Sequence, residues 1–308
     1  MTTILTSVVI PTYKRRESLK RAIDSMMAQT GIERDQTEIL VVDNDPERTA
    51  DWVAEAYEGS PLALHYFHEP TPGVANVRNT AMENIRGRFV AFLDDDQSAA
   101  PNWLSRMLEA HSEYGAIVTF CPTNTSLPGT DLPHAEYLES FFARKGPAKS
   151  GLYDDFYGAG NSLMDMDQVP PERPLFDARM NESGGEDDVL YSSFLAKGHK
   201  FGWTTETHAL EHVPLSRANL NYALRRTFAY GQAPTTIAAR QNPVDVPALI
   251  YWSIIGTGQA VVYGTIAGVF WLIRHPRRAF WLDRAIQGIG KPLWFGPFSL
   301  KFYGTHTR

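Results

Sequence analysis

The chain has 308 residues, of which 43% are hydrophobic and 12% aromatic, and this composition excludes a disordered protein and fits a globular one of one or two domains. The single cysteine, Cys121, excludes an intramolecular disulfide and a cysteine-based zinc site, and it favours a reducing compartment. The net charge of −6 is unevenly divided, because residues 216–308 contain eleven basic and two acidic side chains (+9) whereas the first 215 residues contain 18 basic and 33 acidic ones (−15).

The first third of the chain alternates strand patterns with helix patterns. "SVVIPTY" predicts a buried strand that ends at Pro11. "ESLKRAIDSMMAQT" predicts a helix with five apolar residues on one face, namely Leu19, Ala22, Ile23, Met26 and Met27. Further strands are predicted in "EILVVDND", "LALHYFHE", "RFVAFLDDD" and "AIVTFC", and further helices in "PNWLSRMLEAH" and in "VANVRNTAMENIRG", the latter ending at Gly87. This alternation predicts βαβ units and an α/β fold with a mostly parallel sheet, and the N-terminal segment shows no signal-peptide pattern.

Acidic residues stand where two of these strands end. Asp43 closes "EILVVD", and Asp94, Asp95 and Asp96 follow "RFVAFL". Ligands of open α/β sheets bind at the carboxyl ends of the strands, so these positions are where a ligand is expected. Adjacent carboxylates repel one another, which a bound cation would offset. For an isolated acidic run a solvated surface turn is the alternative, and the surrounding motifs must decide.

Regular patterns weaken between about Pro122 and Pro174, where Pro, Gly and Asp accumulate as in a loop-rich substrate region. They return in "GGEDDVLYSSFLAKG", which predicts a helix with an acidic first turn that ends at Gly198. The sequence contains no G-x-x-x-x-G-K-[ST] phosphate loop, and "GTGQAV" from Gly256 lacks the third glycine of a dinucleotide-binding fingerprint. The acidic motifs are therefore the informative ones for chemistry.

From Val246 to Ile273 the sequence contains no charged residue, and at about 1.5 Å per residue this run is long enough to cross a bilayer as one helix. A buried core helix is the alternative. A single crossing would place the basic residues after Ile273 outside the cell, against the positive-inside tendency, so a monotopic segment in the membrane interface is favoured. Gly256 and Gly258 are expected to let the run bend. The basic, apolar tail predicts membrane lipids, and not nucleic acid, as its partner.

Five motifs taken in order resemble the inverting glycosyltransferases of family 2: "SVVIPTYKR", "ILVVDND", "PGVANVRNTAMENIRGRFVAFLDDD", "GGEDDVL" and "EHVPLSR". The resemblance extends from about Thr6 to Arg217, and the tail is similar to that of bacterial exopolysaccharide glucosyltransferases of the succinoglycan type. It implies a GT-A fold, Rossmann-like with helices flanking the sheet, and a C-terminal helical membrane-associated extension. The implied regions are a nucleotide-sugar-binding half at 1–115, an acceptor-binding half at 116–215 and the basic, apolar helical region at 216–308.

The resemblance also implies which residues hold the nucleotide sugar. They are Pro11, Thr12 and Tyr13 at the nucleoside, Asp43 at the uracil ring, Arg78 near the diphosphate, and Asp94 and Asp95 at the sugar and ribose. Considered singly, these residues have structural alternatives: a strand-terminating turn, a helix cap, or a solvated helix residue in the case of Arg78. The strand ending "VVDND" departs from the commoner family pattern, which leaves the role of Asp45 open.

The remaining implied roles concern the metal and the chemical step. Asp96 is the implied ligand of Mg²⁺ or Mn²⁺, and His212 matches a position that completes the metal or diphosphate site, although a hydrogen-bonded core histidine is the alternative. Asp187 matches the general base that removes the proton of the acceptor hydroxyl, whereas Asp188 fits a favourable charge at a helix N-terminus. The segment "GAGNSLM", which contains Asn161, is expected to line the acceptor side.

The activity implied by the resemblance is an inverting transfer of one sugar, glucose from UDP-glucose in a β-linkage, to a polyprenyl-diphosphate-linked oligosaccharide. The sequence after His212 lacks the Q-x-x-R-W motif of processive polymerases, which favours single addition. The implied location is the cytoplasmic face of the bacterial inner membrane, in peripheral or monotopic attachment. The alternatives are a transferase with another donor sugar or lipid acceptor, and a non-catalytic GT-A scaffold in a membrane assembly complex.

Overall fold

The computed structural model describes residues 3–181, 184–241 and 243–298. These residues form two compact units. Among the described residues, the first unit comprises those up to Thr125 together with Ala143–His212, and the second comprises Ser126–Phe142 and those from Val213 to Phe298. The assignment of separate nucleotide-sugar and acceptor halves to 1–115 and 116–215, and of a membrane-associated region to 216–308, stays a prediction.

The strands and helices follow the predicted alternation closely in the first third of the chain. The strands are β1 (Thr6–Thr12), β2 (Thr37–Asp43), β3 (Ala63–His68), β4 (Phe89–Phe92), β5 (Gln97–Ala99), β6 (Val118–Phe120), β7 (Thr123–Ser126), β8 (Gly151–Tyr153), β9 (Ser162–Asp165), β10 (Phe201–Trp203) and β11 (Ala209–His212). The helices are α1 (Arg16–Met27), α2 (Val53–Ala56), α3 (Val74–Asn84), α4 (Trp103–Tyr114), α5 (Ala135–Phe142), α6 (Glu186–Ala196), α7 (Leu220–Arg240), α8 (Val246–Leu272) and α9 (Arg278–Gly290).

An eight-stranded sheet in the order β3-β2-β1-β4-β9-β6-β10-β8 forms the centre of the first unit, and a three-stranded sheet has the order β5-β11-β7. The strands β1 to β4 pair in parallel, as the βαβ pattern predicts. The strand β9 runs antiparallel to both of its neighbours, and β8 runs antiparallel to β10. The α/β class is confirmed, and the sheet is mixed because the loop-rich middle of the sequence returns two short strands in the opposite direction.

Helices cover both faces of the large sheet. The apolar face of α1 packs on one side with α4, and α3 packs on the other side with α6. The predicted face of α1 is confirmed, since Leu19, Ala22, Ile23 and Met26 are buried and Met27 packs against the same core. Because β2 is covered on both faces, all seven of its residues are buried, and its sequence is a nearly continuous apolar run.

Two element boundaries differ from the sequence prediction. The strand β1 continues through Pro11 to Thr12, because its partner β4 ends opposite Val9 and no ladder hydrogen bond is required from the Pro11 nitrogen on that side. The helix α3 ends at Asn84, before Gly87, because the backbone of the next residue, Ile85, is already extended.

The carboxyl ends of β1, β2 and β4 lie at one edge of the sheet. Thr12 is in register with Asp43, and the residue after β4, Leu93, donates its N–H to the Val9 carbonyl at 3.1 Å. Asp94 follows directly. The predicted grouping of acidic strand ends at one edge is thus a consequence of parallel pairing.

The second unit contains α5, α7, α8 and α9, and its small core is built around Tyr137, Leu138, Ala223 and Ala279. The helix α8 continues without interruption through Gly256 and Gly258, and a bend there stays a prediction. Gly256 faces α9, where a Cβ would lie 2.6 Å from the Gly288 carbonyl oxygen. The glycine therefore permits a close approach of two helices.

Among the described residues, α8 is the helix that is long and apolar enough to cross a membrane, by length and composition. Only 11% of the most apolar 18-residue stretch of α8 is buried. Its exposed apolar side chains are Ile250, Tyr251, Ile254, Ile255, Val261, Val262, Val269, Trp271 and Leu272. A buried core helix, the alternative considered for this run, does not leave such a surface open to solvent.

Candidate active site

The acidic run after β4 is held together by neighbours from the end of β1. Thr12 donates its hydroxyl proton to Asp95 Oδ2 at 2.8 Å. The Arg15 Nη1 donates to Asp95 Oδ1 at 2.8 Å and to Asp96 Oδ2 at 2.9 Å. The run is therefore more than a solvated surface turn, because one guanidinium bridges two of its three carboxylates.

Burial raises the pKa values of two carboxylates in this cluster. It raises the pKa of Asp95 to about 6, although Arg15 acts in the opposite direction. Burial also raises the pKa of Asp94, with Arg78 opposing that shift and Asp96 adding to it. Carboxylates in such surroundings bind protons or cations readily, because added positive charge removes both the desolvation cost and the mutual repulsion.

The structure brings His212 next to Asp96. The strands β5 and β11 pair in antiparallel register, and the His212 N–H donates to the Asp96 carbonyl at 2.8 Å. The His212 Nε2 lies 2.8 Å from the Ser98 hydroxyl. Burial and Arg21 lower the pKa of His212, which favours the neutral imidazole. His212 thus borders the acidic cluster and has a side-chain partner of its own.

A second acidic pair lies at the N-terminus of α6 and is linked to α3. Arg78 is buried; its Nη1 is hydrogen bonded to Glu186 Oε1 and lies 3.5 Å from Asp187 Oδ2. Glu186 is only 2% exposed, and burial raises its pKa to about 7 against the opposing effect of Arg78. Asp187 is more accessible, with 15% of its side chain exposed. The accessible carboxylate of the pair is therefore Asp187.

The short segment of Gly158, Ala159 and Gly160, the 158–160 loop, lies between the two acidic groups. The Ala159 N–H donates to Asp187 Oδ2 at 2.8 Å. A Cβ on Gly160 would lie 2.0 Å from Asp94 Oδ2, so only glycine permits this approach. The Arg144 Nη1 donates to the Gly160 carbonyl at 2.7 Å. The 158–160 loop therefore contacts both the acidic strand end and Asp187.

The residues predicted at the nucleoside occupy the ends of β1 and β2. Tyr13 follows β1 and is 44% exposed, which leaves its ring accessible to a planar ligand. Asp43 is fully buried, and its oxygens accept from the Asp45 N–H at 2.9 Å and the Ala50 N–H at 2.8 Å. In this arrangement Asp43 braces the strand end. Its contact with a uracil ring, and the nucleoside contacts of Pro11, Thr12 and Tyr13, stay predictions.

The structure therefore brings together Asp94, Asp95, Asp96 and His212 as one group, and Arg78 with Asp187 as another. Arg78 faces the acidic pair of α6, and its predicted contact with a diphosphate stays untested. Two cations were missed by sequence reasoning. Arg15 carried a signal, since "YKRR" places cations directly after a strand at the acidic sheet edge. Arg144 carried none, because it enters from a loop that no periodic pattern marks.

Comparison with known proteins gives a family-model match over residues 7–167, just over half of the chain, and that model describes glycosyl transferase family 2. The succinoglycan biosynthesis protein ExoM of Rhizobium meliloti (strain 1021) is 28% identical over 245 residues, covering 78% of this chain and 77% of ExoM. The UDP-Glc:alpha-D-GlcNAc-diphosphoundecaprenol beta-1,3-glucosyltransferase WfgD of Escherichia coli is 31% identical over 105 residues, covering 34% of this chain and 38% of WfgD.

Solved structures with the same fold include the mannosyltransferase PcManGT of Pyrobaculum calidifontis in complex with GDP-Man and Mn²⁺. It superposes with a TM-score of 0.60 at 19% sequence identity and covers 94% of this chain and 87% of that one. At this identity the likeness concerns the fold, and the fold is GT-A, as the motif order predicts.

Proposed function

Because the chain belongs to glycosyl transferase family 2, we propose that it transfers one sugar from a nucleotide-diphosphate sugar, with inversion, to a lipid-linked oligosaccharide in the synthesis of a bacterial surface polysaccharide. The observation that carries this proposal is the arrangement around the 158–160 loop. The loop contacts the acidic strand end (Asp94 to Asp96) through Gly160 and the accessible carboxylate of Asp187 through the Ala159 N–H. An inverting transfer needs both a group that supports the departing diphosphate and a base for the acceptor.

The proposed donor is UDP-glucose, and the proposed acceptor is a polyprenyl-diphosphate-linked oligosaccharide, to which glucose is added in a β-linkage. Three findings support this choice. The name of WfgD specifies UDP-Glc and a diphosphoundecaprenol acceptor, and the name of ExoM specifies succinoglycan biosynthesis. Tyr13 also stands exposed at a strand end, where a base can stack on its ring.

In the proposed mechanism Asp187 accepts the proton of the attacking hydroxyl while the acceptor oxygen approaches the sugar carbon from the side opposite the diphosphate. The Ala159 N–H and Arg78 hold the carboxylate of Asp187 by Oδ2. Glu186 is enclosed and paired with Arg78, so its part is to fix that guanidinium. The Arg15 guanidinium, which bridges Asp95 and Asp96, lies where further hydrogen-bond donors can reach phosphate oxygens.

The carboxylates after β4 fit a hard divalent cation. In the described part of the chain no three His, Cys, Asp or Glu side chains converge on one point. Mg²⁺ and Mn²⁺ in such enzymes do not need three, since one or two carboxylates suffice when phosphate oxygens and water complete the shell. Asp96 would hold the cation, with His212 at its border. When bound, the cation neutralises charge on the departing diphosphate.

Release of UDP tests the proposed function. With UDP-glucose, Mn²⁺ and a polyprenyl-diphosphate oligosaccharide, the full chain in detergent is expected to release UDP in proportion to the acceptor present. A coupled enzymatic assay measures the UDP that is released, and mass spectrometry measures the addition of a sugar to the acceptor. Other UDP-sugars and GDP-mannose serve as donor controls. Release that is equal in wild type and in Asp187→Asn, with no sugar added to any acceptor, would favour the non-catalytic scaffold.

We also propose that the second unit attaches the enzyme to the cytoplasmic leaflet of the membrane with α8 lying in the interface. Its uncovered face is apolar, and α9 packs along its other side, with the Gln259 amide donating to the Arg284 carbonyl at 3.0 Å. The helix α9 carries Arg278, Asp283 and Arg284. A crossing by α8 would draw these charges into the hydrocarbon, which costs several kcal/mol or more. An interfacial position leaves the exposed Arg284 facing water and keeps Asp283 within its hydrogen bond from the Tyr137 hydroxyl.

Replacing one apolar side chain on the open face of α8 tests this attachment. Val261→Asp is expected to lower the affinity for vesicles containing anionic lipid by more than about tenfold, because burial of a valine-sized side chain is worth about 1.5–3 kcal/mol. Flotation of the purified protein with vesicles measures the bound fraction. Leu152→Asp, at an exposed leucine of the first unit, is the matched control and should bind as wild type does.

The topology has its own test in intact cells. A cysteine introduced as Arg277→Cys, in the turn between α8 and α9, should resist a membrane-impermeant thiol reagent until the cells are opened, because the proposal places both ends of α8 on the cytosolic side. The native Cys121 is buried and does not interfere. Labelling of the Arg277→Cys variant from outside would show a full crossing and overturn the interfacial position.

A further inference from the structure

Asn161 is a buried residue with an unusual backbone conformation. Its side chain is 0% exposed, and its φ of 71° lies in the left-handed region that glycine adopts freely and asparagine adopts more readily than other residues. The residue stands between the 158–160 loop and the first residue of β9. A left-handed asparagine at this place turns the chain out of the loop and into the sheet.

The amide of Asn161 is fully used in hydrogen bonds. Its Oδ1 accepts from Trp103 Nε1 at 2.7 Å and from Cys121 Sγ at 3.0 Å. Its Nδ2 donates to the carbonyls of Cys121 and Pro122, each at 3.0 Å, and to the Thr123 hydroxyl at 2.9 Å. Burial raises the pKa of Cys121 to about 12, so the thiol keeps the proton that it donates. These contacts tie Asn161 to α4 and to the segment after β6.

The backbone of Asn161 extends these ties to the acidic strand end. Its N–H donates to the carbonyl of Phe92, the last residue of β4, at 2.8 Å, and Asp94 follows two residues later. Asn161 also ends the 158–160 loop. In this loop the Ala159 N–H donates to Asp187, and Gly160 lies in close contact with Asp94. One residue thus anchors the segment that both carboxylates touch.

We propose that Asn161 is a positioning residue, which holds the 158–160 loop and thereby sets the place of Asp187 relative to Asp94. This inference rests on the proposed role of Asp187 as the base. Asn161 itself is enclosed and does not touch substrate, so its effect reaches the reaction through the loop. A shift of the loop by about 1 Å is expected to misalign the base and the acceptor hydroxyl, which costs on the order of 10²-fold in rate.

Two substitutions separate the backbone from the amide. Asn161→Gly keeps the left-handed conformation but removes the side-chain hydrogen bonds, and Asn161→Ala removes both. We expect kcat to fall at least about tenfold in Asn161→Gly and further in Asn161→Ala, with the KM for the sugar nucleotide and the Kd for UDP within about threefold of wild type. The KM for the sugar nucleotide and the Kd for UDP should stay close to wild type because the predicted nucleoside contacts, from Pro11 to Tyr13 and at Asp43, lie at the ends of β1 and β2.

Asn79→Ala is the matched control. Asn79 also fixes backbone with its amide, bonding the Phe176 carbonyl at 2.8 Å and its N–H at 2.9 Å, but it contacts neither Asp94 nor Asp187. It should lose thermal stability as the Asn161 variants do and keep its kcat. Equal losses of kcat in Asn79→Ala and Asn161→Ala at equal thermal stability would reduce Asn161 to a structural residue.

Amide hydrogen exchange provides a readout that is independent of activity. In the full chain, the peptide that spans residues 156–164 should exchange faster in Asn161→Gly than in wild type and in Asn79→Ala. Wild-type protein that transfers no sugar would contradict the proposed function and leave this measurement intact. Unchanged exchange in Asn161→Gly would overturn the inference itself, whatever the activity.

Discussion

Asp96→Asn is expected to abolish metal-dependent sugar transfer while leaving the fold intact. The amide has nearly the same shape as the carboxylate, so the packing after β4 should survive, but it removes the negative charge that a divalent cation requires. A cation at a departing diphosphate contributes several kcal/mol of charge stabilisation, so the turnover number should fall by more than about 10²-fold. UDP release measures the rate, and titration calorimetry with Mn²⁺ in the presence of UDP measures the decrease in Mn²⁺ affinity.

Asp167→Asn is the matched control for this substitution. Asp167 is an exposed carboxylate of the same unit, paired with Arg88 at 2.8 Å, and it lies outside the acidic strand end. Its replacement should change neither the rate nor the binding of Mn²⁺. Full activity of the wild-type protein in excess chelator would show that the site works without a cation. The role of Asp96 would then be limited to its hydrogen bond with Arg15.

The grouping of the acidic strand ends was predictable because it depends on short-range patterns. Parallel strands place their carboxyl ends at one edge, so an acidic residue after each strand must join the others there. The register of Thr12 with Asp43 and the position of Asp94 directly after Leu93 agree with that rule. Arg15 belongs to the same edge and was within reach of the same argument.

The surroundings of Asp187 were not predictable from short-range patterns. Asp187, Ala159 and Arg144 come from segments that are tens of residues apart and are joined by hydrogen bonds between loop backbone and side chains. No periodic pattern encodes such contacts or the antiparallel direction of β9. The motif order identified Asp187, but only the fold shows that Glu186 is enclosed and Asp187 accessible.

The C-terminal helices illustrate a different limit. The length of the apolar run and its basic flanks could be recognised in the sequence, whereas the structural role of its glycines could not. Gly256 was expected to let the run bend, and the structure shows that it allows the backbone of α9 to approach α8 closely. A glycine in an apolar run lowers helix propensity and also permits close helix packing, and the packing partner decides between these effects.

Asp187→Asn is expected to lower the turnover number by about 10²- to 10⁴-fold, which is the usual contribution of a positioned general base. The amide can still accept the Ala159 N–H, so the 158–160 loop should keep its place, but it cannot take up the acceptor proton. Binding of UDP and of UDP-glucose should remain within about threefold of wild type, because all the predicted nucleotide contacts lie in the first hundred residues, outside α6. Initial rates at saturating donor and acceptor, with calorimetric titration of UDP, measure the two effects.

Two neighbouring substitutions show whether the loss belongs to Asp187. Asp188→Asn removes an exposed carboxylate from the same helical turn and should keep nearly full activity. Glu186→Gln breaks the pair with Arg78 and should lower both the rate and the thermal stability, because it leaves a buried guanidinium without its closest counter-charge. If Glu186→Gln lost turnover with stability unchanged while Asp187→Asn kept its activity, the base would be Glu186, whose pKa is raised by burial to about 7. An acceptor hydroxyl would then have to reach an enclosed carboxylate, which requires α6 to move away from α3 during turnover.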